Sequence, residues 1–239
     1  MKDYSEQILT GEGENDYTRY MRTDALLSLQ RLPEESVHRD ELLFQIVHQS
    51  TELWLKLACT EVTEATARIE AGDLDTAARL LARAALGAQL VTQQLEMMRH
   101  LSPWDFQTIR TVLGHGSGAD SPGWRSVRAC NRLIGAAFLK LVADRGVDLA
   151  ELYRSGVDTS EFRLAEAMIE WDERISIWRV QHFKMTTRII GHQVVGTQGT
   201  PVDVLAKLIS HKHFPELWQV RTELTETGPM GDRPVGGLS

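Results

Sequence analysis

Two histidines stand on runs that are otherwise apolar at helical spacing. In ELLFQIVHQSTELWLK (residues 41–56), Phe44, His48 and Leu55 fall on one stripe and Leu43, Val47 and Trp54 on another, so His48 is expected to be buried. In WDERISIWRVQHFKMTTRII (171–190), His182 shares a stripe with Trp178, Met185 and Ile189. A buried imidazole must find a hydrogen-bond partner, ligate a metal or meet a substrate, because leaving it unsatisfied costs about 1 to 3 kcal/mol. The plain alternative is a satisfied core histidine, and a group that titrates near neutrality can serve in any of these ways.

His48 and Glu52 lie one helical turn apart, and His182 could complete a two-histidine, one-carboxylate set for iron. That spacing also recurs by chance, and Glu52 followed by Lys56 has the spacing of a surface ion pair. Arg110 follows Phe106 by one turn and precedes the loop GHGSGADSPGW (114–124). Glycines and a proline there permit unusual backbone angles, so the loop could turn the guanidinium and Ser117 toward one small anion, a carboxylate above all. The competing reading of Arg110 is a surface arginine near Asp105. His211 and His213, in HKH, read as solvated or capping residues, and His192 beside Gly191 as part of a helix end.

The elements that must position these residues are helical from end to end. The periodicity predicts helices over 15–31, 36–70, from Asp73 to just before Pro103, a short one in SPWDFQTIRTVL, then 125–144 and 161–190, with a last pair around HFPELWQVRTEL. No alternating strand pattern competes. The fold class is therefore all-α, a bundle of long helices, and such bundles carry cofactor sites between facing helices.

A chain of 239 residues, 42% hydrophobic and 25% charged, reads as one domain over 1–239 with flexible ends at 1–14 and 226–239. A net charge of -7 argues against nucleic acid or an anionic membrane as partner. Charged residues interrupt every apolar run well short of the roughly 20 residues a membrane span needs, and the start of the chain is acidic rather than a signal peptide. A cytoplasmic protein is expected. Cys59 and Cys130, without CxxC spacing, suggest neither a disulfide framework nor a zinc site.

Five segments, NDYTRYMRTDALLSLQ, DELLFQIVHQSTELWLK, SPWDFQTIRTVLGHGSG, WRVQHFKMTTRIIG and FPELWQVRTEL, resemble in order the characteristic segments of the tryptophan 2,3-dioxygenase family of haem enzymes. The resemblance implies haem b held through its iron by His182, with dioxygen as co-substrate. It implies that His48, on the opposite side, meets the indole N–H of an indole amino acid, with Phe44 and Phe106 as aromatic walls. Arg110 would grip the substrate carboxylate, Ser117 would stand beside haem and substrate, and Thr197 would bind the amino-acid head. Tyr17 and Tyr20 would reach a neighbouring subunit's pocket in a homo-oligomer, a dimer of dimers.

The reaction so implied is 2,3-dioxygenation of L-tryptophan or a substituted tryptophan to an N-formylkynurenine. Two alternatives accompany it: a related monooxygenase giving an oxindole in a natural-product pathway, and a haem- or indole-binding helical protein without turnover. The sequence departs from the family in its closing loop, where GTGGSSG is replaced by GTQGTPV; Gln198, Thr200 and Pro201 alter the flexible part, and Pro201 stiffens it. The segment between the GSG loop and the WRxxH helix is also shorter than usual.

Overall fold

A computed structural model describes residues 6–199 and 201–231. The chain opens with two short helices, α1 (Asp16–Met21) and α2 (Thr23–Leu27), in place of the single helix expected over 15–31. Arg22 divides them by adopting left-handed backbone angles (φ 54°, ψ 40°). Neither helix buries a residue. Residues 8 and 9 donate their main-chain N–H groups to the Asp16 carboxylate, folding the preceding segment against α1. Residues 1–5 and 232–239, parts of the ends expected to be flexible, lie outside the described residues, as does Thr200.

α3 (Glu41–Glu70) starts five residues later than its apolar pattern suggests. The Glu41 carboxylate accepts from Val37 N at 2.6 Å, so residues 37–40 form an entry turn instead of a helical one. The AGD break turns the chain into α4 (Leu74–Met98), where Asp73 accepts from Thr76 N as N-cap. A Ser102 cap and Pro103 then start α5 (Pro103–Arg110). α6 (Pro122–Arg145) begins with Ser121 as cap and ends at Gly146 in the left-handed region (φ 61°). α7 (Leu149–Arg154) occupies the weakly patterned stretch before α8 (Ser160–Ile190), and α9 (Asp203–Leu208) and α10 (Pro215–Thr227) follow.

α4 packs along both α3 and α8, and α3 packs along α6, while α3 and α8 share no comparable seam. Alanines 58, 65, 77, 84 and 88, all buried, let α3 and α4 approach closely, and Leu55, Val62, Leu81, Val91, Ile134, Phe138, Leu164, Met168 and Ile175 fill the core. A second, smaller cluster of Val47, Met98, Leu101, Ile109 and Ile189 gathers the ends of α3, α4, α5 and α8. No strand forms among the described residues; Val195 and Pro201 make one isolated antiparallel bridge.

An acidic side chain lies at the centre of the core. Asp172, fully buried, accepts from His213 N (2.8 Å), Phe214 N (3.2 Å) and Trp218 Nε1 (3.0 Å), which fixes the start of α10 against α8. Three donors to one carboxylate oxygen offset part of its desolvation. Nearby, Asn131 Oδ1 accepts from Trp171 Nε1 at 2.7 Å, joining α6 to α8.

Candidate functional site

His48 sits on α3 but is not buried as its sequence context suggests; protein surrounds the ring while solvent still reaches it. The apolar neighbours that gave the expectation, Val47 and Leu55, face packed seams, whereas His48 stands on the exposed side of the helix. Its Nδ1 stands 2.7 Å from the carbonyl of Phe44, one turn earlier. A carbonyl can only accept, so Nδ1 carries the proton and Nε2 is left as an acceptor facing outward. Partial burial lowers the pKa of His48, against the opposing pull of the Phe44 carbonyl and Glu52, so the ring favours the neutral form.

His182 sits on α8, half-buried, its ring stacked on Trp178 (centroids 4.7 Å, interplanar 11°), which in turn packs on Trp124 of α6 at 3.9 Å. Burial, and secondarily the proximity of His48, pushes its pKa down to about 4, so the imidazole is neutral at pH 7. No hydrogen bond engages either ring nitrogen among the described residues. Two neutral histidines thus come near one another from helices that share no long seam.

That donor set answers the metal question. Glu52, the carboxylate of the possible iron triad, is committed elsewhere: it accepts from Gly123 N at 2.8 Å and from the Ser121 hydroxyl, capping α6. Among the described residues no three His, Cys, Asp or Glu side chains gather to hold a bare ion. A haem needs much less from the protein, one free axial ligand in apolar surroundings, and His182 against Trp178 fits that requirement.

Phe44 and Phe106 meet with centroids 5.9 Å apart, and Phe44 lies 4.1 Å from the His48 ring, so three rings from α3 and α5 line one wall. One turn beyond Phe106, half-buried Arg110 donates to Gln107 Oε1 and to the main-chain carbonyl of Val195, both at 3.3 Å. Asp105, its expected surface partner, instead lies 3.8 Å from His38 Nε2. Among the described residues Arg110 makes no ion pair.

Two loops close over the arginine. Residues 194–199 and 201–202 carry a small hairpin, with the Val195–Pro201 bridge and Val202 N donating to Val194 O. Gly199, at φ 74°, turns it. The Thr197 hydroxyl donates to the carbonyl of Gly116, and Gln198 Nε2 donates to Asp120 Oδ2 at 2.6 Å. Asp120 also accepts from Ser117 N, and the Ser117 oxygen accepts from Ala119 N, leaving its hydroxyl proton free for another acceptor. Ser117, Thr197 and Arg110 therefore share one region, although Thr197 spends its hydroxyl on the loop contact.

Tyr17 (65% exposed) and Tyr20 (74% exposed) stand on α1 and join no wall of this cleft within the chain. His213 is not the solvated residue its HKH context suggests: Arg179 donates to its Nε2 at 2.9 Å, and burial pushes its pKa down to about 4. Sequence reasoning also missed Glu52 as the cap of α6, Gln107, Val195 and the Gln198–Asp120 contact. The SPG segment after the glycine loop does mark a helix start, but nothing in sequence shows that the cap comes from another helix.

Comparison with known proteins adds a family. The sequence model described as tryptophan 2,3-dioxygenase matches residues 5–137. A tryptophan 2,3-dioxygenase of Caulobacter vibrioides is 30% identical, the match covering 87% of this chain and 98% of the relative. One of Kineococcus radiotolerans is 30% identical over 88% and 92% respectively. One of Myxococcus xanthus is 27% identical over 95% and 96%, in an alignment of 281 positions, so the relative carries residues that this 239-residue chain lacks.

Proposed function

The chain belongs to the tryptophan 2,3-dioxygenase family, and on that premise we propose that it is a haem-dependent oxygenase acting on the indole ring of L-tryptophan or a substituted tryptophan. On this reading both atoms of dioxygen are placed across the C2=C3 bond of the indole, and the ring opens to an N-formylkynurenine. The observation that carries the reading is the convergence of an acceptor on neutral His48, the Phe44 and Phe106 walls, and an Arg110 without an ion pair among the described residues.

Each of these residues has a physical task. Arg110 binds the substrate carboxylate: the planar guanidinium can form two parallel charge-assisted bonds there, stronger than its two neutral ones. Phe44 and Phe106 take the flat face of the indole. With its proton fixed on Nδ1 by Phe44, His48 accepts the indole N–H at Nε2 and sets which edge of the ring faces His182. Ser117 offers its hydroxyl proton to a carboxylate of substrate or haem, and Thr197 keeps the hairpin closed over the amino-acid head.

His182 would hold the haem iron; bound there, haem b supplies the redox chemistry with dioxygen that no side chain of this cleft possesses. The hairpin is held to the 114–120 loop through Thr197 and Gln198.

The same reading includes a single domain over 1–239 and a homotetramer, a dimer of dimers, in which Tyr17 and Tyr20 reach a neighbouring pocket. It is supported by α1 and α2, in which no residue is buried within its own chain and Tyr17 and Tyr20 are exposed. It also includes a cytoplasmic location; no helix among the described residues is long and apolar enough to cross a membrane.

Product mass under labelled dioxygen, from tryptophan and from methylated tryptophans, tests the reaction. Two labelled atoms in a ring-opened product are expected. A single labelled atom in a ring-closed oxindole would replace dioxygenation by monooxygenation, and haem binding without any product would replace it by a binding role.

A further inference from the structure

The contact between Glu52 and Gly123 is unusually close for two helices. Glu52 Oε2 accepts from Gly123 N at 2.8 Å, and a Cβ on Gly123 would lie 2.9 Å from the Leu55 Cβ, so only glycine lets α6 come this near α3. Seven residues further along each helix stand Cys59 and Cys130. Seven residues is two helical turns, so the faces that meet at Glu52 and Gly123 meet again there if the helices run parallel. They do: Gly72, just past the end of α3, lies beside Arg145 at the end of α6, as Glu52 lies beside Gly123 near their starts, and Cys59 packs against the buried cluster that contains Cys130. Both cysteines are free.

Their environments differ. Cys130 is 5% exposed among Val127, Ile134 and Phe138, while Cys59 is half-buried and reachable from solvent. We propose that Cys59 and Cys130 form a dithiol site that closes to a reversible disulfide between α3 and α6 on exchange with a small-molecule disulfide. The Cys59 thiolate attacks one sulfur of that reagent, forming a mixed disulfide and releasing one thiol. Cys130 then gives up its proton and attacks the Cys59 sulfur, releasing the second thiol. The two protein thiols lose two electrons and two protons in total, and the reagent disulfide gains them as two thiols.

Asymmetry sets the order. The neighbouring Cys130 thiol holds the Cys59 thiol below its ordinary pKa, which favours Cys59 as the attacking thiolate. The same contact, and then burial, push the Cys130 thiol up, so it reacts only with a partner already beside it. Closure would tie the helix carrying His48 to the helix that follows the Ser117 loop.

The test uses the full-length protein as purified, incubated with hydroxyethyl disulfide, then denatured and alkylated for intact-mass and peptide analysis. The expected wild-type product has no alkylatable thiol, weighs two hydrogens less than the starting chain, carries no adduct, and yields one peptide pair joined through Cys59 and Cys130. Reduction should restore both thiols. Cys130→Ala should stop with the adduct retained on Cys59, and Cys59→Ala should leave Cys130 unmodified over the same time. A wild-type chain that keeps the adduct on Cys59 beside a free Cys130 would overturn the proposal. So would disulfides formed only between chains, or two thiols that both stay unreacted until the protein unfolds.

Discussion

The guanidinium of Arg110 donates to the main-chain carbonyl of Val195 at 3.3 Å, across 85 residues of sequence. The bond joins the end of α5 to the 194–202 hairpin, and it is a long, neutral one at a residue suited to charged partners. A carboxylate entering here would meet a guanidinium already aimed and partly desolvated, with only weak bonds to displace.

Arg110→Ala is expected to lower kcat/KM for an amino-acid substrate by several kcal/mol of transition-state stabilisation, about 2 to 5. Arg110→Lys should recover little, since an ammonium cannot reproduce the planar fork. The decisive measurement compares tryptophan with the same indole lacking its carboxylate: wild type should strongly prefer the former and Arg110→Ala should scarcely distinguish them. An unchanged preference would remove the carboxylate clamp.

Gln198 and Asp120 should act as a unit. Replacing either with alanine frees the hairpin from the 114–120 loop, and the double variant should be little worse than each single one, with a coupling of about 0.5 to 1.5 kcal/mol. Proteolytic cleavage within 194–202, measured with and without substrate, reads the effect. Additive behaviour would mean that the latch carries nothing.

His48→Ala is expected to retain haem and to lose about 0.5 to 1.5 kcal/mol of indole orientation, the net worth of one hydrogen bond. Activity should fall without a change in thermal midpoint. Loss of haem in this variant, with His182→Ala still holding it, would exchange the roles of the two histidines.

His182→Ala should purify with most of its haem missing while keeping its helical circular dichroism, because the ring makes no hydrogen bond among the described residues that the fold depends on. Full haem content with an unaltered absorbance spectrum would refute the assignment.

Stability without cofactor should fall with acid through His213. Its folded pKa, about 4, lies below the ordinary 6.5, so the unfolded chain takes up the proton first and folding weakens as pH drops from 6.5 toward 4. For a half-buried ring the loss is about 2 kcal/mol. His213→Gln retains an acceptor for Arg179 and should flatten this part of the profile in urea unfolding at successive pH values.

The long helices were legible in sequence because three signals agree: apolar residues at helical spacing, good helix formers, and clear breaks at the AGD turn, Pro103 and Gly191. Arg22 gave no such signal, since nothing in YMRTDA marks a left-handed residue. Periodicity placed His48 on an apolar helix but could not tell a cleft wall from a packed seam, because both require apolar neighbours. The partners of Glu52 and Asp172, and the Val195 partner of Arg110, were illegible for a different reason: each is 41 or more residues away and is chosen by packing of the whole bundle.

The stacked rings beside His182 also have photophysical consequences. Trp178 lies 4.7 Å from His182 and Trp124 lies 3.9 Å from Trp178, so both indoles would sit within efficient energy-transfer range of a porphyrin held at that histidine. The chain thereby carries its own fluorescent gauge of occupancy, in which ultraviolet emission dims as the site fills, and Trp178→Phe would remove one of its emitters while leaving the ligand in place.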